Sequence, residues 1–212
     1  MSIHGQILLS AIQTIRGNNT KQIGRLFCIP ASLCNGLRVL GVSSITQELI
    51  RDIYYSVNQR EVEPDINNQM QRVSFDVIDA VEHHVDYKEV FSTEHYLDAE
   101  DYNIFDCSKA ERALQFIRRH LEQDHPVIVS TWWVPWDHGI LQPQCCHMWL
   151  ALAYDDNTML CTLHDPDSDQ IFQIPFYLSV PLFYKGQRQD LEIGLRGRIT
   201  HTDYKCCALI KR

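Results

Sequence analysis

Cleaving an amide with sulfur needs three things: a thiol that can carry negative charge, a base close to it, and donors for the oxyanion that forms. Cys28 stands two residues before Pro30, where the pattern predicts the start of a helix. Unpaired backbone N–H groups and a partial charge of roughly +0.5 at a helix start favour negative charge on such a sulfur. Cys34 falls inside the apolar stretch 33–40 and reads as core. Gln22 lies six residues upstream of Cys28, where its side-chain amide can join the Cys28 backbone N–H in holding an oxyanion.

His147 opens the apolar run Met148-Trp149-Leu150-Ala151-Leu152-Ala153-Tyr154, and Asp165 follows the next such run and precedes Pro166. Asp155-Asp156-Asn157 between them is turn chemistry. An antiparallel hairpin turning there sets residue 147 opposite residue 165. Hairpin geometry alone therefore pairs Asp165 with His147, as the carboxylate that would orient the imidazole.

The elements that must position these residues change character along the chain. Residues 3–16 carry Ile3, Ile7, Ile12 and Ile15 at loosely helical spacing, stopped by Gly17. Pro30 early and Gly41 late punctuate a second helix with Leu33, Leu37 and Leu40. Ser44-Ile45-Thr46-Gln47 resembles a capping box for a helix ending near Val57. Further helices are expected over 65–84, with Met70, Val73, Val77 and Ala80 in one stripe, and from Ser108 onward, with Leu114, Ile117 and Leu121. After Pro126 the texture turns to strands, over 127–133, 147–154, 159–163, 170–177 and 202–210. Helices first and strands later predict an α+β fold in one domain, 1–212. A mainly helical part, 1–125, would carry the nucleophile, and a β-rich part, 126–212, His147 and Asp165. The longest irregular stretch, 134–144, leads into His147 and is where a binding loop is expected.

Taken together, Gln22, Cys28-Ile29-Pro30-Ala31-Ser32, Pro126-Val127-Ile128-Val129, the run from His147 to Asp155, and His164-Asp165-Pro166 resemble the papain-like cysteine peptidases. The similarity is greatest to the bacterial branch that removes double-glycine leader peptides, and to related stand-alone and secreted effector proteases. It touches residues 22–40 and 126–166, in order and in spacing. The resemblance implies a papain-like fold with the site between helices and an antiparallel sheet. It also implies Cys28 as nucleophile, His147 as acid and base, Asp165 as orienting carboxylate and Gln22 as oxyanion donor. Ile29 stands where that family usually has glycine or an aromatic, which crowds the cleft and bears on substrate preference. The transporter helices often fused to leader peptidases are not seen, which points away from bacteriocin maturation.

Other readings compete. The same site would serve a transferase or a deamidase, because water and an amine attack the same thioester, and an inactive peptide-binding relative would keep the fold. Cys145-Cys146-His147 with Cys161, His164 and Cys206-Cys207 suggests zinc, but no Cys-x₂₋₄-Cys pair occurs. No metal and no cofactor are therefore expected. Trp149 reads as packing, whereas Trp133 and Trp136 are candidates for a cleft wall, given the area an indole offers. His138 competes as base without a carboxylate after a hairpin, and His83-His84 reads as a solvated edge.

The balance of the 212 residues bounds the partners. A formal charge of −8 argues against nucleic acid and anionic membranes, both of which attract basic surfaces. A peptide or protein substrate is expected instead. No stretch is apolar for long enough to span a bilayer, and the N-terminus carries no secretory signal pattern. Eight cysteines, two pairs of them adjacent, are then expected as reduced thiols in a cytoplasmic setting, or in a protein exported without such a signal.

Overall fold

The computed structural model describes residues 3–24, 27–57, 76–97, 107–133, 136–137, 140–141, 145–174 and 199–212. In chain order the elements are β1 (Ile3–His4), α1 (Gln6–Ile15), α2 (Cys28–Val39), α3 (Gln47–Val57), α4 (Asp76–Glu82), β2 (Phe91–Leu97), α5 (Cys107–Leu121) and β3 (Val127–Trp133). There follow β4 (Trp136–Asp137), β5 (Ile140–Leu141), β6 (Cys145–Asp155), β7 (Leu160–Asp165), β8 (Gln170–Ile174) and β9 (Ile199–Lys211). Among the described residues the main sheet runs β2-β9-β3-β6-β7-β8, with β1 added alongside β6. Its ladders are all antiparallel. Helices packed on an antiparallel sheet give the α+β class that the sequence predicts.

Val127–Ser130 on β3 and Met148–Tyr154 on β6 are buried at every consecutive residue. Alternate side chains point to opposite faces, so unbroken burial means that the middle of the sheet is covered on both sides. α2 and α5 both pack against these two strands. α2 is itself buried from Ile29 to Leu37, as a helix enclosed on all sides must be. Two of its buried polar side chains donate to carbonyls: Ser32 to that of Met148 at 3.2 Å, and the Asn35 amide to that of Thr20 at 2.7 Å. The helix closes with Gly41 at φ +90°, where Gly41 N–H reaches the Arg38 carbonyl and Val42 N–H the Leu37 carbonyl. This is the left-handed cap that a glycine makes cheap.

Several expectations are corrected. The first segment is not one helix, because Ile3-His4 pair with Tyr154 and Asp155 on β6 before α1 begins. Its buried residues are Leu8 and Ile12, while Ile7 is 67 % exposed. α3 is capped by Thr46, whose hydroxyl takes the Leu49 N–H, and the Gln47 side chain points elsewhere. The stretch 134–144 is not irregular throughout, since β4 and β5 pair within it. The mainly helical part also supplies strand β2, paired with β9 along its length. The 65–75 portion of the expected fourth helix and the 175–177 portion of the expected strand lie outside the described residues.

The hairpin register differs as well. Leu150 pairs with His164 and Ala151 with Leu163, but Ala153 pairs with Thr162, so Leu152 is an extra residue on β6. Continuing the ladder from Leu150 sets residue 147 against 167 rather than 165, a slip of two from the simple hairpin. A slip of two keeps the face, whereas a slip of one reverses it. The turn-side register, Ala153 with Thr162, would by itself put Asp165 and His147 on opposite faces. The bulge at Leu152 restores the parity.

Candidate active site

His147, Trp149 and Asp165 share one face of the β6–β7 pair. His147 Nε2 lies 2.8 Å from Asp165 Oδ1, and both side chains are only 7 % exposed. A carboxylate only accepts, so Nε2 carries the proton of that bond and Nδ1 is the nitrogen left for Cys28. Trp149 stands edge-on to the imidazole, ring centroids 4.9 Å apart, and is in turn packed against Phe172. The indole is fully buried and packs directly against the imidazole.

Burial alone would push the His147 imidazole down. Hydrogen bonds with Asp165 and Cys28, together with the charges on both, outweigh it and hold the group up at about 9. Burial would likewise raise Asp165, but the His147 bond and charge, the Ser168 hydroxyl and the Asp167 N–H bring it down to about 2. Those donors come from the turn after β7. Asp167 N–H reaches Oδ1 at 2.9 Å, and Ser168 Oγ donates to Oδ2 at 2.6 Å. Every carboxylate bond here favours the ionised form.

Cys28 is the first residue of α2, and the residue before it, Phe27, makes no side-chain cap. The first-turn N–H groups therefore receive no side-chain acceptor from the cap position. Five cysteines have described side chains. Cys28 is partly exposed and the other four are buried. Burial pushes the Cys34 thiol up to about 11 and that of Cys161 up to about 12, and holds Cys207 high. Cys34 is core, as its position in α2 predicts.

Gln22 sits on the loop ahead of α2 and is tied to the Asp165 turn. Its backbone N–H donates to the Pro166 carbonyl at 2.7 Å, and its side-chain Nε2 to Asp167 Oδ1 at 3.2 Å. The loop is braced from below by Gln47, 2 % exposed, whose Nε2 donates to the Lys21 carbonyl at 2.8 Å and whose Oε1 accepts from Ile23 N–H at 3.1 Å. Ile29 is 5 % exposed and part of the core, directly after Cys28. The side chains of Trp133 and Trp136, and all of His138, lie outside the described residues.

A family model, the Peptidase_C39 like family, matches residues 13–176, most of the chain. The protein belongs to that family. It is thereby a cysteine peptidase, acting on peptide substrates. No curated protein matches the sequence. Gln22, Cys28, His147 and Asp165 all lie inside the matched span, whereas β1, β9 and the Cys206-Cys207 pair lie outside it. Among the described residues no helix is long and apolar enough to cross a membrane.

Sequence reasoning did not single out Asp167 or Ser168 in this peptidase, and it read Gln47 only as a capping-box residue. The signal for the first two was present, since Asp-Pro-Asp-Ser is a run in which an aspartate accepts from the backbone just ahead of it. Gln47 carried no such signal, because its contacts are with a loop more than twenty residues away. A separate group, Asp79, Glu82 and His95, brings ligand-type atoms within 4.8 Å of one another. It belongs to α4 and β2, at the opposite edge of the sheet from β7. Its atoms are engaged locally: Asp79 Oδ1 lies 3.0 Å from His95 Nε2, and Thr93 donates to Glu82. His83 is exposed and His84 half-buried, as a solvated edge would be.

Proposed function

We propose that this peptidase hydrolyses a peptide or isopeptide bond with Cys28 as nucleophile, His147 as acid and base, Asp165 as orienting carboxylate and Gln22 as oxyanion donor. The observation that carries the reading is His147 itself. One buried imidazole is joined on one side to Asp165 and on the other to the partly exposed sulfur at a helix start.

The chemistry then follows in two halves. The Cys28 sulfur, as thiolate, attacks the carbonyl carbon. The oxygen takes the electron pair and rests against the Cys28 backbone N–H and the second amide hydrogen of Gln22. His147, protonated, gives its Nδ1 proton to the departing nitrogen as the C–N bond breaks, leaving a thioester on Cys28. Water enters, His147 removes its proton, and the C–S bond breaks to return the thiolate and imidazolium. Asp165 holds the proton on Nε2 throughout and so keeps Nδ1 toward the sulfur. Trp133 and Trp136 serve as cleft wall and Ile29 as a residue that crowds the cleft, assignments resting on the sequence.

Incubation with a peptide library tests the proposal, with products read by mass. Wild-type protein is expected to cleave with water as acceptor, and Cys28→Ala to be inactive while keeping the wild-type circular dichroism spectrum. Full cleavage by Cys28→Ala would end the reading. Products carrying an added amine would change it to a transferase.

A further inference from the structure

Gln22 is useful as an oxyanion donor only if its amide stays within a fraction of an ångström of its working position, because a displacement of about 1 Å can cost ~10²-fold in rate. Yet it sits on a loop, and the base it must match sits on a hairpin of distant sequence. A buried polar chain runs between the two. Gly17 N–H reaches Thr20 Oγ1 at 3.3 Å, and the Thr20 hydroxyl donates to Asp169 Oδ1 at 2.6 Å. His164 Nε2 meets the same oxygen at 2.9 Å. Thr20, Asn35 and His164 are all fully buried, and Asn35 on α2 holds the Thr20 carbonyl at 2.7 Å.

The direction of each bond is fixed by chemistry. Burial pushes the His164 imidazole down, and because a carboxylate only accepts, Nε2 must be the donor of that bond. Asp169 accepts from both sides and is held low despite partial burial, by Thr20 and by His164. A carboxylate oxygen shared by two fully buried donors, Thr20 and His164, cannot be withdrawn without leaving both unpaired at a cost. The chain is therefore a rigid strut. It links α2 through Asn35, the Gln22 loop through Thr20, and the strand bearing Asp165 through His164, the residue just before it.

We infer that Asp169, locked by His164 and gripping Thr20, is a positioning residue that holds Gln22 in register with the His147–Asp165 pair. The inference rests on the catalytic reading above. It adds that the turn after β7 serves both halves of the site: Asp165 and Ser168 set the base, while Asp167 and Asp169 set the oxyanion loop. None of Thr20, His164 or Asp169 touches the reacting atoms in this account.

A double-mutant cycle tests it. Thr20→Val keeps the shape and removes the hydroxyl, and it is expected to lower kcat roughly 10–10²-fold with little change in KM. Thr20→Ser, which restores the hydroxyl, is expected to recover most of that loss. In a Gln22→Ala background Thr20→Val should cost almost nothing more, since the group it positions is gone. An undiminished loss in that background would overturn the inference, as would unchanged kcat in Thr20→Val. Should Thr20→Val not fold, Asp169→Asn, which keeps volume and one acceptor oxygen, gives the same cycle with a smaller loss. Iodoacetamide labelling of Cys28 should proceed at the wild-type rate in Thr20→Val. If wild-type Cys28 itself shows no preference over the other cysteines, the catalytic reading has failed rather than the strut.

Discussion

Two side chains carry the electrostatics at the residue scale, His147 and Asp165, and in each burial and pairing oppose one another. Burial disfavours charge on His147 and on Asp165 alike, yet each is held ionised by the other. The imidazolium is therefore held protonated up to about pH 9. Acylation needs that proton for the departing amine, so kcat/KM should fall as pH rises through about 9. Asp165→Asn removes the charge that lifts His147 and leaves burial, which lowers it. A pH–rate profile of that variant should show its alkaline limb moved to lower pH, and an unmoved limb would remove Asp165 from its assigned role. Gln22→Ala should lower kcat on the order of 10²–10³-fold, the usual cost of one lost oxyanion donor. An effect under tenfold would assign the oxyanion to backbone groups alone.

Elements decide whether those side chains meet. The bulge at Leu152 puts His147 and Asp165 on one face, and a glycine supports it. Gly5 has φ +77°, and a Cβ there would lie 2.1 Å from the Leu152 carbonyl oxygen. Gly5→Ala meets both strain and a backbone clash, a cost of roughly 1–3 kcal/mol or more. At ~2–4 °C per kcal/mol for a chain of this size, the melting temperature should fall by several degrees. Because the clash falls on the bulge, kcat should fall as well, and a stable, fully active Gly5→Ala would show that the bulge does not need this contact. This is also where the sequence was least legible. The pairing of His147 with Asp165 could be read from a turn and two apolar runs, since even a slip of two keeps the face. The extra residue that makes the slip even could not be read, because nothing about Leu152 marks it. The helix start at Cys28 was legible through Pro30, a local signal. Gln47 and Asn35 were not, because each braces a loop through contacts that only the folded chain creates.

For the whole molecule, the site is also a pH-dependent contribution to stability. His147 rises from 6.5 unfolded to about 9 folded. Its share is fully present below about 6.5 and lost as pH climbs through 9. Asp165 falls from 3.8 to about 2, so its share is present above 3.8 and lost as pH drops through 2. Both are whole between roughly pH 4 and 6.5. Melting temperature against pH should be flatter for His147→Ala than for wild type on the alkaline side, and parallel curves would mean that the pair contributes nothing there. Among the five described cysteines the fold also separates Cys28 from Cys34, Cys161, Cys206 and Cys207, which are sealed in the core.

The most direct measurement is the rate of carbamidomethylation of each cysteine by a low dose of iodoacetamide at pH 6, read by peptide mapping in wild-type protein and in His147→Ala. Cys28 is predicted to react well ahead of the other seven in wild type, and to lose that lead in His147→Ala. Equal labelling of all cysteines in wild type, or an unchanged Cys28 rate without His147, would contradict the account.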